Sequence, residues 1–301
     1  MATGERTDVY AAITERIAAQ LERGVRPWHQ PWAAPYATGG VSRPLRTTGE
    51  PYQGVNVIVL WLTAFEKGYT SPYWFTFNQA KALGGFVRKG EKGTQVVYAN
   101  TFERKGTDEE TGEETTERIP FLKAYTVFNA CQVEGLPERF RPSELSSRNV
   151  AERLEDAEAF FARTGADTRH GGDRAYYSPA EDYIGLPPYE SFEDREAYYA
   201  TRAHESIHWT KHPTRLARDL GGKRFGDDGY AVEELIAELG AAFLCADLGI
   251  TPGVRENHAA YLACWLRVLK ADTRAIFTAA SHASRAVEYL HRLQQPPSSQ
   301  P

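Results

Sequence analysis

The chain of 301 residues has one methionine and three cysteines. Each shortage excludes something. Cys131, Cys245 and Cys264 are odd in number, scattered and without C-x-x-C spacing, which argues against both a disulfide framework and a cysteine-held zinc. The compartment expected from them is reducing and intracellular, the cytoplasm. Long apolar runs are missing too: the most apolar one, Val55 to Phe65, is about half of what a membrane helix needs. The N-terminus lacks a signal-peptide core, so a soluble protein without a membrane partner is expected.

Net positive charge is also absent. The formal charge of −5 is unpromising for a nucleic-acid partner, but it is unevenly distributed. Residues 1–130 hold 15 Lys and Arg against 14 Asp and Glu, and seven of those acids fall between Glu103 and Arg118 with only three cations. Without that stretch, 12 cations face 7 acids, which is a locally basic module on an acidic chain. What the chain does have is 42% hydrophobic and 12% aromatic residues, enough for folded cores and a length that suits two domains.

Val9, Ile13, Ile17 and Leu21 recur every four residues between Asp8 and Gly24, the pattern of an amphipathic helix with a cap and a stop. A segment of different character follows: Trp28 and Trp32 in P-W-H-Q-P-W, then Arg43, Tyr52 and Asn56. Aromatics interleaved with Arg, Asn and Gly suit a surface where bases stack on rings while cations track phosphates. Trp beside Pro equally suits a loop pinned to its own core. Val55 to Phe65 reads as a buried helix, Trp74 as part of a strand leading into a helix over Asn78 to Leu83, and Arg88, Lys89 and Lys92 as cations of a glycine-rich turn before a strand over Thr94 to Tyr98. Glu103 to Glu117 reads as a flexible acidic excursion in a hairpin that resumes over Pro120 to Asn129.

The linker is expected over residues 136–149. Beyond it, Val150 to Arg163 has helical periodicity, and short strands are expected over Asp173 to Tyr177 and Asp182 to Ile184. Then comes H-E-S-I-H at His204 to His208. On a helix, i and i+4 share a face, so both imidazoles can point at one tetrahedral cation. Glu205 sits beside them, where a carboxylate can take a proton from water at the open coordination position. Two histidines need a third protein ligand. A metzincin would place a histidine where Thr214 stands, and His212 is disfavoured because Pro213 follows it. The long helix expected over Tyr230 to Leu244 offers Glu234 and Glu238, four apart. In glutamate-liganded zincins one such Glu closes the site and an acidic group four residues on orients a histidine. Glu234 is therefore the first candidate ligand, with Glu238 behind the imidazole or, as the alternative with Glu233, in its place. Tyr176 and Tyr177 lie where an edge strand would hold a peptide.

Several blocks, in this order, carry a resemblance: G-V-R-P-W-H-Q-P-W, P-Y-Q-G-V-N, Y-W-F-T-F-N-Q-A, G-G-F-V-R-K-G-E-K-G-T, A-Y-Y-S-P-A-E-D-Y-I, H-E-S-I-H-W-T-K-H-P-T-R-L-A-R-D and F-G-D-D-G-Y-A-V-E-E-L-I-A-E-L-G-A-A-F-L. Together they resemble the ArdC-type antirestriction proteins and the related TraC-like plasmid primases. The resemblance implies a protein of a mobile element, carried into a recipient during conjugation, that binds single-stranded DNA and protects incoming DNA from restriction. It implies a zincin-like metallopeptidase domain in which His204, His208 and Glu234 hold zinc, or manganese in its place, Glu205 is the general base and Glu238 supports a ligand. The expected fold is α+β: a small α+β DNA-binding domain over residues 1–135, then a mostly helical zincin-like domain with a short sheet over 150–295. The expected partners are single-stranded DNA and a protein substrate, such as a DNA-bound protein. The alternative is a non-enzymatic DNA-coating protein whose metal site is structural or idle.

Overall fold

The computed structural model describes residues 8–29, 42–107, 114–140, 150–220, 228–251 and 258–295. Helix α1 (Val9–Glu22) starts where expected, the Asp8 carboxylate accepting the Tyr10 N–H at 2.9 Å, and it buries Ile13, Ile17 and Leu21. Helix α2 (Val55–Lys67) is apolar around its circumference and is accordingly enclosed, every residue from Val55 to Thr63 being buried. It stops at Gly68, whose φ of 66° places it in the left-handed region, from which the Gly68 and Tyr69 N–H groups donate back to the carbonyls of the last turn.

Strand β1 (Trp74–Phe75) leads into α3 (Phe77–Ala82), whose start carries a reciprocal cap between Thr76 and Gln79. Strand β2 (Phe86–Val87) follows the Gly84–Gly85 turn. Strands β3 (Thr94–Thr107) and β4 (Glu114–Asn129) form a long antiparallel hairpin, and β1 pairs on the other side of β4. The flexible excursion expected over Glu103 to Glu117 is corrected at its two ends, residues 108–113 lying outside the described residues. The ladder continues through Glu103↔Arg118 to Thr107↔Glu114, so backbone pairing extends both strands into that stretch. Strand β5 (Val133–Glu134) pairs with β2.

Most of the expected linker lies outside the described residues. Helix α4 (Val150–Arg163) coincides with its predicted span. A three-stranded sheet follows, made of β6 (Asp167–His170), β7 (Tyr176–Ser178) and β8 (Tyr183–Leu186). Its order is β6-β8-β7, with β6 parallel and β7 antiparallel to β8, so β7 is an edge. Helices α5 (Arg195–Trp209), α6 (Asp228–Leu248), α7 (His258–Ala271) and α8 (Ala275–Arg292) complete the chain. No described helix is long and apolar enough to cross a membrane.

One apolar core runs through both halves of the sequence, joining α1, α2 and Trp28 to α5 through α8. Trp28 meets Trp265 edge-on at 5.7 Å between ring centroids, and Trp61 meets Phe243 in the same way. Arg43 makes a two-pronged pair with Asp247 of α6 at 2.6 and 2.7 Å. A small second core around Phe75, Phe140 and Val133 supports the β2–β5 corner.

Candidate metal centre

Helices α5 and α6 lie against each other through small residues. A Cβ on Gly240 would fall 2.8 Å from the Ile207 side chain, so only glycine allows this approach. It brings the histidines of α5 within reach of the carboxylates of α6. Nε2 of His204 lies 3.6 Å from Glu234 Oε2, and Nε2 of His208 lies 3.5 Å from Glu234 Oε1. One donor atom from each of these three residues falls within 4.8 Å of the others. Ligand bonds of about 2.05 Å in tetrahedral geometry put donors about 3.3 Å apart, so the spacing suits a His2Glu cation site.

Each imidazole turns its other nitrogen to a carboxylate. His204 Nδ1 faces Glu238 Oε1 at 3.6 Å, and His208 Nδ1 donates to Glu233 Oε1 at 3.0 Å. Such contacts hold the ring with its Nε2 lone pair towards the site. Glu233 in turn receives Arg218 through both oxygens, at 2.8 and 2.9 Å, and Arg218 also donates to the Ile207 carbonyl. Burial alone would pull the His208 imidazolium down, but the Glu234 and Glu233 carboxylates push it up to about 9. Burial would raise Glu233, yet Arg218 and His208 bring it down to about 2. Glu234 is held well below the usual carboxylate range by the two imidazoles, against its own burial.

The trio opens into a cleft of about 210 Å³ whose lining includes Glu205, Lys211, Tyr230 and Tyr261 as well as the edge residues Ala175 to Tyr177. Glu205 is buried one residue along α5 from His204, on the cleft wall. Tyr177 is committed elsewhere: its hydroxyl donates to Asp182, which Arg215 also grips, and burial with that bond pushes the phenol up to about 12. Tyr176 is exposed, with its hydroxyl 2.7 Å from that of Tyr183. Tyr230 and Tyr261, whose hydroxyls are 3.3 Å apart at the cleft, did not stand out in the sequence. Tyr230 is raised well above the usual phenol range by burial, by Tyr261 and by Glu234. His212 lies beyond the end of α5 with its Nδ1 on Thr214, away from the trio.

The residues expected to contact DNA divide into two groups. Trp28, Tyr52 and Trp74 are buried, so their rings have no free face for a base. Asn56 is buried and spends its amide on both backbone groups of Val97. Arg43 is buried against Asp247. These five are therefore corrected from surface to core, where aromatic area contributes most when removed from water. Trp32 lies outside the described residues. Arg88, Lys89 and Lys92 are exposed, Arg88 sharing its charge with Glu91. Two further exposed rings, Phe77 (57% exposed) and Phe86 (58%), lie on α3 and β2, which pack against each other.

A two-helix His2Glu constellation bordered by an edge strand, sharing its core with an N-terminal α+β unit, defines a zincin-type protein with an added module. Comparisons with known proteins agree. Residues 155–282 match the zincin-like metallopeptidase family, and residues 7–128 match the N-terminal domain of anti-restriction factor ArdC. The metal-free crystal structure of the antirestriction ArdC protein from R388 plasmid aligns with a TM-score of 0.79 and 49% identity, covering 95% of this chain and 97% of that one. Its Mn(II)-bound structure aligns with a TM-score of 0.78 and 46% identity, over 97% and 100% of the two chains. The uncharacterized protein y4eC of Sinorhizobium fredii (strain NBRC 101917 / NGR234) is 41% identical over 292 residues, 96% of this chain and 93% of that protein. DNA primase TraC of Escherichia coli is 39% identical over 299 residues, which are only 27% of its length. The chain belongs to the ArdC antirestriction family.

Proposed function

We propose that this protein protects incoming DNA by binding it single-stranded through the N-terminal unit and by hydrolysing peptide bonds of a protein target at the α5–α6 site. The observation that carries the peptidase half is the convergence of His204 and His208 Nε2 on one carboxylate, with Glu205 on the wall of the same cleft. His204, His208 and Glu234 would hold a divalent cation, zinc or in its place manganese, both of which imidazole and carboxylate ligands accept. When bound, that cation supplies Lewis-acid polarisation of the scissile carbonyl. Glu205 takes the proton from the attacking water and passes it to the leaving amine. The edge of β7 pairs with the extended substrate backbone, and the Tyr230–Tyr261 pair stands ready to donate to the developing oxyanion.

For DNA, the supporting observation is that α3, β2 and the turn after β2 carry exposed Phe77 and Phe86 and the exposed cations Arg88, Lys89 and Lys92. Rings that stack on bases and cations that follow phosphates bind with little sequence preference. The deciding experiment is Glu205→Gln, followed by assays of protein cleavage, metal binding and protection of incoming DNA. Loss of cleavage and protection with metal and DNA binding intact supports hydrolysis. Full protection by this variant would sink it and leave a DNA-coating protein with an idle metal site.

A further inference from the structure

The metal centre contains a contribution from the opposite end of the chain. Arg26 and His29 belong to the loop after α1, within the part of the sequence that matches the N-terminal ArdC domain. Arg26 Nη1 lies 3.3 Å from Glu238 Oε2 and 3.2 Å from His29 Nε2. The other oxygen of Glu238 is the one that faces His204 Nδ1. The side chains of Arg26, Glu238 and His204 are only 10%, 7% and 4% exposed, and Trp28, between Arg26 and His29 in sequence, packs against Trp265.

The donor logic fixes the direction of this chain of contacts. A guanidinium has no acceptor, so Arg26 donates to Glu238. His29 Nε2 lies 3.7 Å from the same Glu238 oxygen, and burial pulls the His29 imidazolium below its ordinary range. A carboxylate buried behind an imidazole is strongly disfavoured unless a cation and hydrogen bonds accompany it. Arg26 is that cation. An ionised Glu238 can accept the proton on His204 Nδ1 and so keep the Nε2 lone pair aimed at Glu234.

The other histidine repeats the arrangement: Arg218 holds Glu233, and Glu233 holds His208. The two relays differ in origin. Arg218 comes from the metallopeptidase half, whereas Arg26 comes from the DNA-binding half, 212 positions from its carboxylate.

We propose that Arg26 is a positioning residue of the metal centre, so that the N-terminal unit completes a site whose ligands all lie in the C-terminal unit. The inference rests on the metal-site reading given above. It also redefines the R-P-W-H block as a strap between the two units.

The test is metal binding by the full-length chain, measured calorimetrically with Zn(II) and Mn(II) and spectroscopically through the visible absorption of Co(II). Arg26→Gln is expected to weaken each metal by about 10- to 100-fold, the usual cost of losing outer support. Arg26→Lys should recover part of the loss, and in a Glu238→Gln background Arg26→Gln should cost far less. Thermal unfolding of the metal-free variants separates positioning from folding, because a purely structural role lowers the midpoint without an affinity change that depends on Glu238. Unchanged metal affinity in Arg26→Gln overturns the proposal. So does an equal loss with and without Glu238. A wild-type chain that takes up none of the three metals removes the site reading itself, which is a distinguishable failure.

Discussion

Gly240 of α6 and Ile207 of α5 meet so closely that a Cβ on the glycine would lie 2.8, 2.9 and 3.0 Å from three carbons of the isoleucine. Ile207 is fully buried and cannot swing aside. Gly240→Ala therefore forces α5 and α6 apart between the two sets of ligands. Overpacking of this kind costs about 1–3 kcal/mol, only partly offset by the gain of about 1 kcal/mol in helix propensity. The expected result is a lower unfolding midpoint and weaker metal binding. Combining it with Ile207→Ala should relieve part of both defects, and strictly additive losses would contradict the packing argument.

Glu233 predicts a different kind of sensitivity. It accepts two hydrogen bonds from a buried guanidinium and one from His208. Glu233→Ala strands Arg218, whose side chain is almost wholly enclosed, and removal of one partner of such a pair costs about 3–5 kcal/mol. Denaturant unfolding of the metal-free protein should register that loss. A midpoint within error of wild type would show that water reaches Arg218 freely.

How much of this was legible beforehand depended on whether the information was local. The i, i+4 spacing of His204 and His208, the helix that carries them and the helix with Glu234 follow from periodicity, and the structure places the three together. Glu233 and Arg218 could not be assigned from spacing, because their roles arise only where α5 and the loop after it meet α6. Trp28 and Trp74 illustrate the opposite problem. A tryptophan in a Pro-rich loop has the same local signature whether it stacks on a base or pins the loop, and only the position of Trp265, far along the chain, decides. The core shared by both halves had no sequence signal either, since an Arg43–Asp247 pair joins residues 204 positions apart.

Those burials convert the DNA-binding reading into a contrast. Trp28→Ala should cost about 3–5 kcal/mol as a large-to-small core change. Phe86→Ala, on the exposed corner, should leave stability nearly untouched and weaken single-stranded DNA binding by about 1–3 kcal/mol. Lys89→Ala should reduce the magnitude of the slope of log affinity against log salt by about 0.7 if it meets one phosphate. Fluorescence anisotropy with an unstructured oligonucleotide measures both. If the Phe86 and Lys89 variants bind like wild type across the salt range, the corner is not the DNA surface.

The last expectation concerns pH. In the metal-free chain His208 is raised from its ordinary 6.5 to about 9 by the facing carboxylates. A folded value above the unfolded one means that the protonated ring stabilises the metal-free fold fully below pH 6.5, and that this contribution is lost as pH rises through 9. Metal binding has the opposite dependence, because a cation needs the Nε2 lone pair and must displace that proton. Apparent affinity should therefore rise about tenfold per pH unit from 7 towards 9 and level off above it. Calorimetry at pH 7.5 in two buffers of different ionisation heat should report release of close to one proton. A pH-independent affinity over that range, with no proton released, would mean that His208 is already neutral and that Glu233 and Glu234 do not hold its charge.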